Sequence, residues 1–215
     1  MNLNRLLTIL LLLLSIGLIS ITSARAELIE GKNYTVLPTP QPIQDNGAIE
    51  VIEFFWYGCS HCNHLHPHLK IWLQSIPDDV NFRYVPAIFR TNWVPAAKTF
   101  YAIEAMGIKD ALHDKIYDAI HLKKINLTKE PVLFSWIEKQ GIEREKFVSA
   151  YNSFTVQNQV ARSTQMTRQY KLSGVPSLVV GGKYLTSGGM NKTPQDTIKV
   201  LEKLIDKVRK EKASQ

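Results

Sequence analysis

Cysteine is scarce in this chain: its 215 residues contain only two, Cys59 and Cys62. Two cysteines are too few for the disulfide framework of a small stapled fold. They are also too few for a four-cysteine zinc site, since there is no second pair. Only Ser60 and His61 separate them, so a structural bridge would close a very small ring and constrain little of the unfolded chain.

Other patterns are missing as well. After residue 26 the sequence has no internal repeat and no low-complexity segment. The formal net charge of +7 includes Arg5 and Arg25, so it falls to +5 (7 − 2) without the first 26 residues. No stripe of Lys and Arg is interleaved with aromatic residues. These features make nucleic-acid binding an unfavoured interpretation.

The N-terminus has the pattern of a secretion signal. Arg5 precedes an almost wholly apolar run over residues 6–21, and Ala24-Arg25-Ala26 supplies the small residues that signal peptidase recognises. The sequence therefore predicts cleavage after Ala26, export to an oxidising compartment, and a mature chain of 189 residues (215 − 26). The alternative is an uncleaved membrane anchor, because the apolar run approaches the shortest spans of roughly 17 residues.

The cysteine pair lies at a predicted strand–helix junction. The dense apolar run over residues 49–56 predicts a strand buried on both faces. A helix is predicted to begin near Cys59 and to be kinked at Pro67. Its buried positions recur at helical spacing: Cys62, Leu65, His66, Leu69, Trp72, Leu73 and Ile76. A second strand over residues 80–85 would complete a β-α-β unit with a right-handed crossover.

The sequence changes character twice after this unit. Residues 91–170 carry a succession of short helical patterns without strand-like runs. Strand patterns then resume around Gly181-Gly182, which predicts a hairpin. A final helix is indicated by Thr193-Pro194, since Thr193 can cap it and proline suits its first turn.

The spacing of Cys59 and Cys62 favours redox chemistry. Disulfide exchange needs a thiolate, and a cysteine in the first turn of a helix lies beside unpaired N–H groups that stabilise one. Cys62 lies one turn deeper, where its sulfur could resolve a mixed disulfide. A metal site and a structural disulfide remain open. For the nearby histidines, the favoured interpretation is that His64 and His68 lie at the surface and His66 packs near the core.

Two further features stand out. Glu53 places a carboxylate within a strand that should be buried, so it is expected to pair, hydrate or hold a proton. One interpretation is a proton acceptor or electrostatic tuner for Cys62; the other is a strand-end residue that reaches solvent. Val175-Pro176 precedes the later strands, and on sequence alone an ordinary trans peptide bond is the default.

The segment over residues 53–62, Glu-Phe-Phe-Trp-Tyr-Gly-Cys-Ser-His-Cys, closely resembles the active-site segment of the DsbA family of periplasmic thiol oxidases. The order of the predicted elements and the Gly-Val-Pro at residues 174–176 fit the same family. The resemblance implies an α/β thioredoxin fold with an inserted helical domain. Residues 27–90 and 171–215 would form the thioredoxin-like domain, and residues 91–170 the insertion.

The resemblance also implies roles for individual residues. Cys59 would be the exposed nucleophile, Cys62 the buried resolving cysteine, His61 the stabiliser of the Cys59 thiolate, and Glu53 the buried acid. Val175 and a cis Pro176 would pair with the substrate backbone. Ser60 stands where the family most often has proline, which bears on the strength of the oxidant more than on the reaction class.

The implied activity is the donation of the Cys59–Cys62 disulfide to newly exported proteins with free thiols. The implied reoxidant is a DsbB-like membrane quinone reductase, and the enzyme is expected to be a monomer without a bound cofactor or metal. The nearest alternative is a disulfide isomerase or reductase on the same fold. A Cys/His metal-binding module and a peptide-binding chaperone are more distant ones.

Overall fold

The computed structural model describes residues 28–43 and 47–214. The predicted signal peptide, with its cleavage site after Ala26, lies outside the described residues. Within them, no helix is long and apolar enough to cross a membrane.

One five-stranded sheet forms the centre of the molecule. Its strands are β1 (Thr35–Val36), β2 (Ile49–Phe55), β3 (Val80–Pro86), β4 (Ser177–Val180) and β5 (Tyr184–Ser187). They lie in the order β1-β5-β4-β2-β3. β2 runs parallel to β3 and antiparallel to β4, so it is an interior strand, and all seven of its residues are buried. This burial explains the unbroken apolar run of the sequence.

Within the described residues, seven α-helices accompany the sheet. They are α1 (Ser60–Leu73), α2 (Val94–Ala105), α3 (Lys109–His121), α4 (Glu130–Lys139), α5 (Arg144–Tyr151), α6 (Phe154–Gln169) and α7 (Pro194–Ala213). α1 crosses from β2 to β3, while α2 to α6 follow one another between β3 and β4. The predicted cap of the last helix is confirmed, since the Thr193 side chain accepts a hydrogen bond from the Asp196 N–H.

The two faces of β2 pack against different helices. Ile49 and Val51 belong to a cluster with α1 and α7 side chains, whereas Ile52 and Phe54 pack with Met166 and other residues near the end of α6. This alternation is the period of two expected of a strand. At the end of β2, Phe55 and Tyr57 enter a third cluster that contains the core of the inserted helices. The chain therefore leaves the sheet beneath the helical insertion, immediately before the cysteines.

Candidate active site

Cys59 is the N-cap residue of α1. Its backbone is extended, with φ −85° and ψ 120°, and its sulfur accepts a hydrogen bond from the Cys62 N–H at 3.4 Å. Its own N–H donates to the Trp56 carbonyl at 2.9 Å. The predicted helix start is confirmed to within one residue, and the sulfur occupies the place of a capping oxygen.

The two thiols have opposite electrostatic environments. Both are unpaired in this structure, with Cys59 half-buried and Cys62 fully buried. A hydrogen bond from the Cys62 thiol lowers the pKa of Cys59 from 9.0 to about 6, helped by the backbone N–H groups of Cys62 and His61 and by the His61 charge. Burial, together with the Cys59 thiolate, raises the pKa of Cys62 well above 9.0. Near neutral pH, Cys59 is therefore a thiolate and Cys62 a thiol.

Glu53 lies in the middle of the sheet. Its side chain is 1% exposed, and the strand that carries it is flanked on both sides. Burial, with a smaller contribution from the Cys59 thiolate, raises the pKa of Glu53 from 4.5 to about 8. The interpretation of Glu53 as a strand-end residue that reaches solvent is therefore wrong. The carboxyl group holds its proton at neutral pH, within electrostatic range of both sulfurs.

The Val175–Pro176 segment lies across from Cys59. The peptide bond is cis, as the family resemblance implied. The Cys59 thiol donates a hydrogen bond to the Val175 carbonyl at 3.4 Å. A solvent-open cleft of about 260 Å³ runs beside this contact, lined by His61, Ser173, Gly174, Val175, Pro176, Ser177, Ser187, Gly188 and Gly189.

The histidines around Cys62 differ in exposure, as predicted for His64, His66 and His68. His61 and His64 are exposed, His68 is half-buried, and His66 is buried with Nε2 2.7 Å from Asp114 Oδ1. The part of the chain that the structure describes contains no group of three or more His, Cys, Asp or Glu residues positioned to hold a metal ion.

Sequence reasoning missed the aromatic stack beside the cysteines. Trp56 stacks on Trp93 with ring centroids 4.1 Å apart and nearly parallel planes. A Cβ on Gly58 would lie 2.4 Å from the Trp56 ring, so the glycine allows the indole to lie over the turn before Cys59. The only sequence signal was the glycine immediately before the pair, since Trp93 is remote along the chain.

The site and fold together define a class of enzyme. A helix-capping thiolate, a buried partner thiol one turn later and a protonated acid behind them are the components of thiol–disulfide exchange. They are placed at the end of an interior strand in a thioredoxin fold that carries a helical insertion. The protein is a thiol:disulfide oxidoreductase of the thioredoxin superfamily.

Comparison with known proteins narrows this class. A family model described as a DSBA-like thioredoxin domain matches residues 50–201. The thiol:disulfide interchange protein DsbA of Burkholderia cepacia is 37% identical over 204 residues, which cover 94% of this chain and 96% of that protein. The DsbA of Azotobacter vinelandii is 38% identical over 179 residues, covering 83% and 84%. The crystal structure of Pseudomonas aeruginosa DsbA superposes with a TM-score of 0.82 at 34% identity, covering 86% of this chain and 97% of that one. The chain belongs to the DsbA family.

Proposed function

We propose that this oxidoreductase works as a disulfide donor for newly exported proteins. The observation that carries the proposal is the lowered pKa of Cys59, about 6, beside the raised pKa of Cys62. Stabilisation of the Cys59 thiolate favours the reduced enzyme, which makes its disulfide a better oxidant. The same bias would weaken a reductase, because its reduced form must give up electrons readily.

The proposed reaction proceeds in two exchanges. A substrate thiolate attacks the Cys59 sulfur of the oxidised enzyme and forms a mixed disulfide, while Cys62 departs as a thiolate. A second substrate thiolate then attacks the substrate sulfur of this mixed disulfide and displaces the Cys59 thiolate. The substrate loses two electrons and leaves with a disulfide; the enzyme gains them as a dithiol.

The surrounding residues take distinct parts in this proposal. Glu53 supplies a proton to the departing Cys62 sulfur, since its carboxyl group is protonated near neutral pH. His61 favours the Cys59 thiolate through its charge and backbone N–H. Val175 and Pro176 present a backbone edge to the substrate, supported by the cleft beside the Cys59 sulfur.

The cellular setting follows from the N-terminal pattern and the family. We propose export to the periplasm with cleavage after Ala26, a monomeric enzyme without a bound cofactor, and reoxidation by a DsbB-like membrane quinone reductase. We further propose that residues 27–90 and 171–215 form the thioredoxin-like domain and residues 91–170 the inserted domain. The succession of helices α2 to α6 between β3 and β4 supports this division.

A pH titration of the Cys59 thiolate tests the proposal. Thiolate absorbance of the reduced Cys62→Ala protein should titrate below 9, with the midpoint above that of the two-cysteine protein because alanine cannot donate the Cys62 hydrogen bond. Equilibration of the two-cysteine protein with glutathione should show that the Cys59–Cys62 disulfide is readily reduced, as expected of a disulfide donor. Cys59→Ser should abolish oxidation of a reduced peptide. A Cys59 midpoint near 8.5, the value of an unperturbed cysteine, would rule out a strong disulfide donor.

A further inference from the structure

Tyr57 lies in the turn that leads from β2 to Cys59. The Cys59 N–H donates to the Trp56 carbonyl at 2.9 Å, so Tyr57 and Gly58 are the two central residues of this turn. The turn determines where α1 begins, because Cys59 follows it directly and is the N-cap of the helix. Contacts that hold Tyr57 in place therefore also hold the Cys59 sulfur against the N–H group of Cys62.

Two histidines on α3 are bonded to Tyr57. His121 Nε2 lies 2.7 Å from the Tyr57 carbonyl oxygen, and His113 Nδ1 lies 2.6 Å from the Tyr57 hydroxyl. Tyr117 lies midway between the two histidines in the sequence, so the three side chains share one face of the helix. The Tyr117 ring packs against the Tyr57 ring, with centroids 5.1 Å apart. One face of α3 thus holds Tyr57 by its backbone and by its side chain.

The bond from His121 reaches the backbone of the turn. A carbonyl oxygen only accepts hydrogen bonds, so Nε2 of His121 carries the proton. Nε2 carries a proton both in one neutral tautomer and in the imidazolium ion, so the bond does not depend on the charge of His121. Tyr57 is 1% exposed, and a buried carbonyl that loses its donor is costly. The bond therefore fixes the orientation of the Tyr57–Gly58 peptide unit.

The redox state of the cysteines determines how much this bond matters. In the oxidised enzyme the covalent bond to Cys62 fixes the position of the Cys59 sulfur. In the reduced enzyme the sulfur is held by weaker hydrogen bonds, among them those from the N–H groups of His61 and Cys62. Such bonds weaken steeply when donor and acceptor are misaligned. A firmly held turn therefore stabilises the reduced thiolate more than it stabilises the disulfide.

We propose that His121 is a positioning residue for the Cys59 thiolate, because its hydrogen bond to the Tyr57 carbonyl fixes the turn that directs the sulfur at the N–H groups of α1. His121 acts through the turn, since its bond is to Tyr57 and not to a sulfur. The helices between β3 and β4 thereby help to determine how oxidising the cysteine pair is. This role rests on the proposed function of Cys59 as a stabilised thiolate.

The groups that titrate close to Cys59 are separate from His121. Among the described residues, those that interact with Cys59 are Glu53 on β2, and His61 and Cys62 on α1. A substitution at His121 leaves all of them in place. A change in the Cys59 midpoint would then have one of two causes, a displaced turn or the loss of the His121 charge. An uncharged donor at residue 121 distinguishes them.

The test compares His121→Phe with His121→Gln in the two-cysteine protein. Phenylalanine keeps a ring beside Tyr117, whose centroid lies 6.1 Å from that of His121, but it has no donor. Glutamine offers an uncharged N–H donor in place of Nε2. In His121→Phe the Cys59 midpoint, followed by thiolate absorbance, should rise by about half to one pH unit, as expected for one hydrogen bond. In His121→Gln most of this rise should disappear.

The redox equilibrium gives a second measurement. The glutathione equilibrium of His121→Phe should shift toward the disulfide about threefold to fivefold at pH 7, because the reduced form loses thiolate stabilisation. Tyr101→Phe is the matched control, since it removes a hydrogen bond between α2 and α6, to Ser163, and leaves the turn intact. It should change neither the midpoint nor the equilibrium. His121→Leu, which also lacks a donor, replaces His121→Phe if the larger ring prevents folding.

Three results would overturn the inference. A midpoint in His121→Phe equal to that of the parent protein would show that the bond does not act on the thiolate. Equal rises in His121→Phe and His121→Gln would show that His121 acts through its charge or its packing. An equal rise in Tyr101→Phe would show a general effect of destabilised helices. The proposed function fails separately, since a parent midpoint near 8.5 would refute it without any substitution at His121.

Discussion

Glu53 shows at the scale of one residue what the burial of a carboxyl group costs in stability. A carboxyl group in the interior of a sheet loses hydration, and no cation is bonded to it among the described residues. The group responds by keeping its proton, with a pKa of about 8 in place of 4.5. The folded protein therefore binds more protons here than the unfolded chain between these two pH values, and stability falls as pH rises through this window.

Glu53→Gln should consequently stabilise the protein at neutral pH. The amide has the shape of the protonated acid and cannot ionise, so the free energy of unfolding should rise by about 3 kcal/mol at pH 7. At pH 4 both proteins have a neutral side chain when folded, and the gain should nearly vanish. Urea denaturation at the two pH values measures the difference. A gain that is equal at pH 4 and pH 7 would show that ionisation is not its cause.

At the scale of one element, the start of α1 determines which cysteine reacts. Cys59 caps the helix in an extended conformation, and the N–H groups that stabilise its sulfur belong to His61 and Cys62. Ser60, the first helical residue, is the position that differs most visibly from the familiar family motif. The backbone N–H groups that most lower the pKa of Cys59 are those of Cys62 and His61, which a substitution at residue 60 leaves in place.

Ser60→Pro should therefore be tolerated. Proline suits the first helical position, and the extended backbone of Cys59 is the conformation that a following proline requires. The free energy of unfolding should rise by about 0.4–1 kcal/mol, because proline restricts the unfolded chain. The Cys59 midpoint should stay below 7, since both stabilising N–H groups remain. Thermal denaturation and thiolate absorbance measure the two quantities. A midpoint near 9 would show that Ser60 itself stabilises the thiolate.

At the scale of the whole molecule, the thiolate links redox state to stability. The folded pKa of Cys59 is about 6, below the 9.0 of an unperturbed thiol in the unfolded chain. The unfolded chain thus binds more protons at this thiol between pH 6 and 9, so the contribution of Cys59 to the stability of the reduced protein rises with pH there. This stabilising contribution of Cys59 is lost as pH falls through 6. The oxidised protein has no titrating thiol and lacks this contribution.

The free energy of unfolding of the reduced protein should accordingly increase relative to that of the oxidised protein between pH 5 and pH 8. At pH 8 the reduced protein should be the more stable of the two. A disulfide closing so small a ring restricts the unfolded chain little, so it should not offset the thiolate. Above pH 9 the trend should weaken, because Cys62 stays protonated only when folded. Paired urea titrations of both redox states measure this. Cys59→Ser is the control and should lose the rise that Cys59 contributes while keeping the pH dependence that Glu53 contributes; an oxidised form that stays more stable throughout would contradict the prediction.

The sequence by itself determined much of the fold and the reacting atoms. Apolar periodicity predicted β2, α1 and the helical block after β3, because burial on one or both faces is recorded in local spacing. The lone pair Cys59–Cys62 at the start of a helix predicted redox chemistry. The residues around this pair indicated the DsbA family, and the family resemblance implied a cis peptide bond before Pro176.

Only the tertiary structure decided the surroundings of those atoms. Whether Glu53 was buried depended on the order of strands, which places β4 and β3 on either side of β2. The contact between the Cys59 sulfur and the Val175 carbonyl joins residues far apart in the chain. Helix packing brings the His113 ring on α3 to 4.8 Å from the Tyr84 ring on β3. Such contacts leave no local periodicity in a sequence, because they depend on how distant elements pack and not on the spacing within one of them.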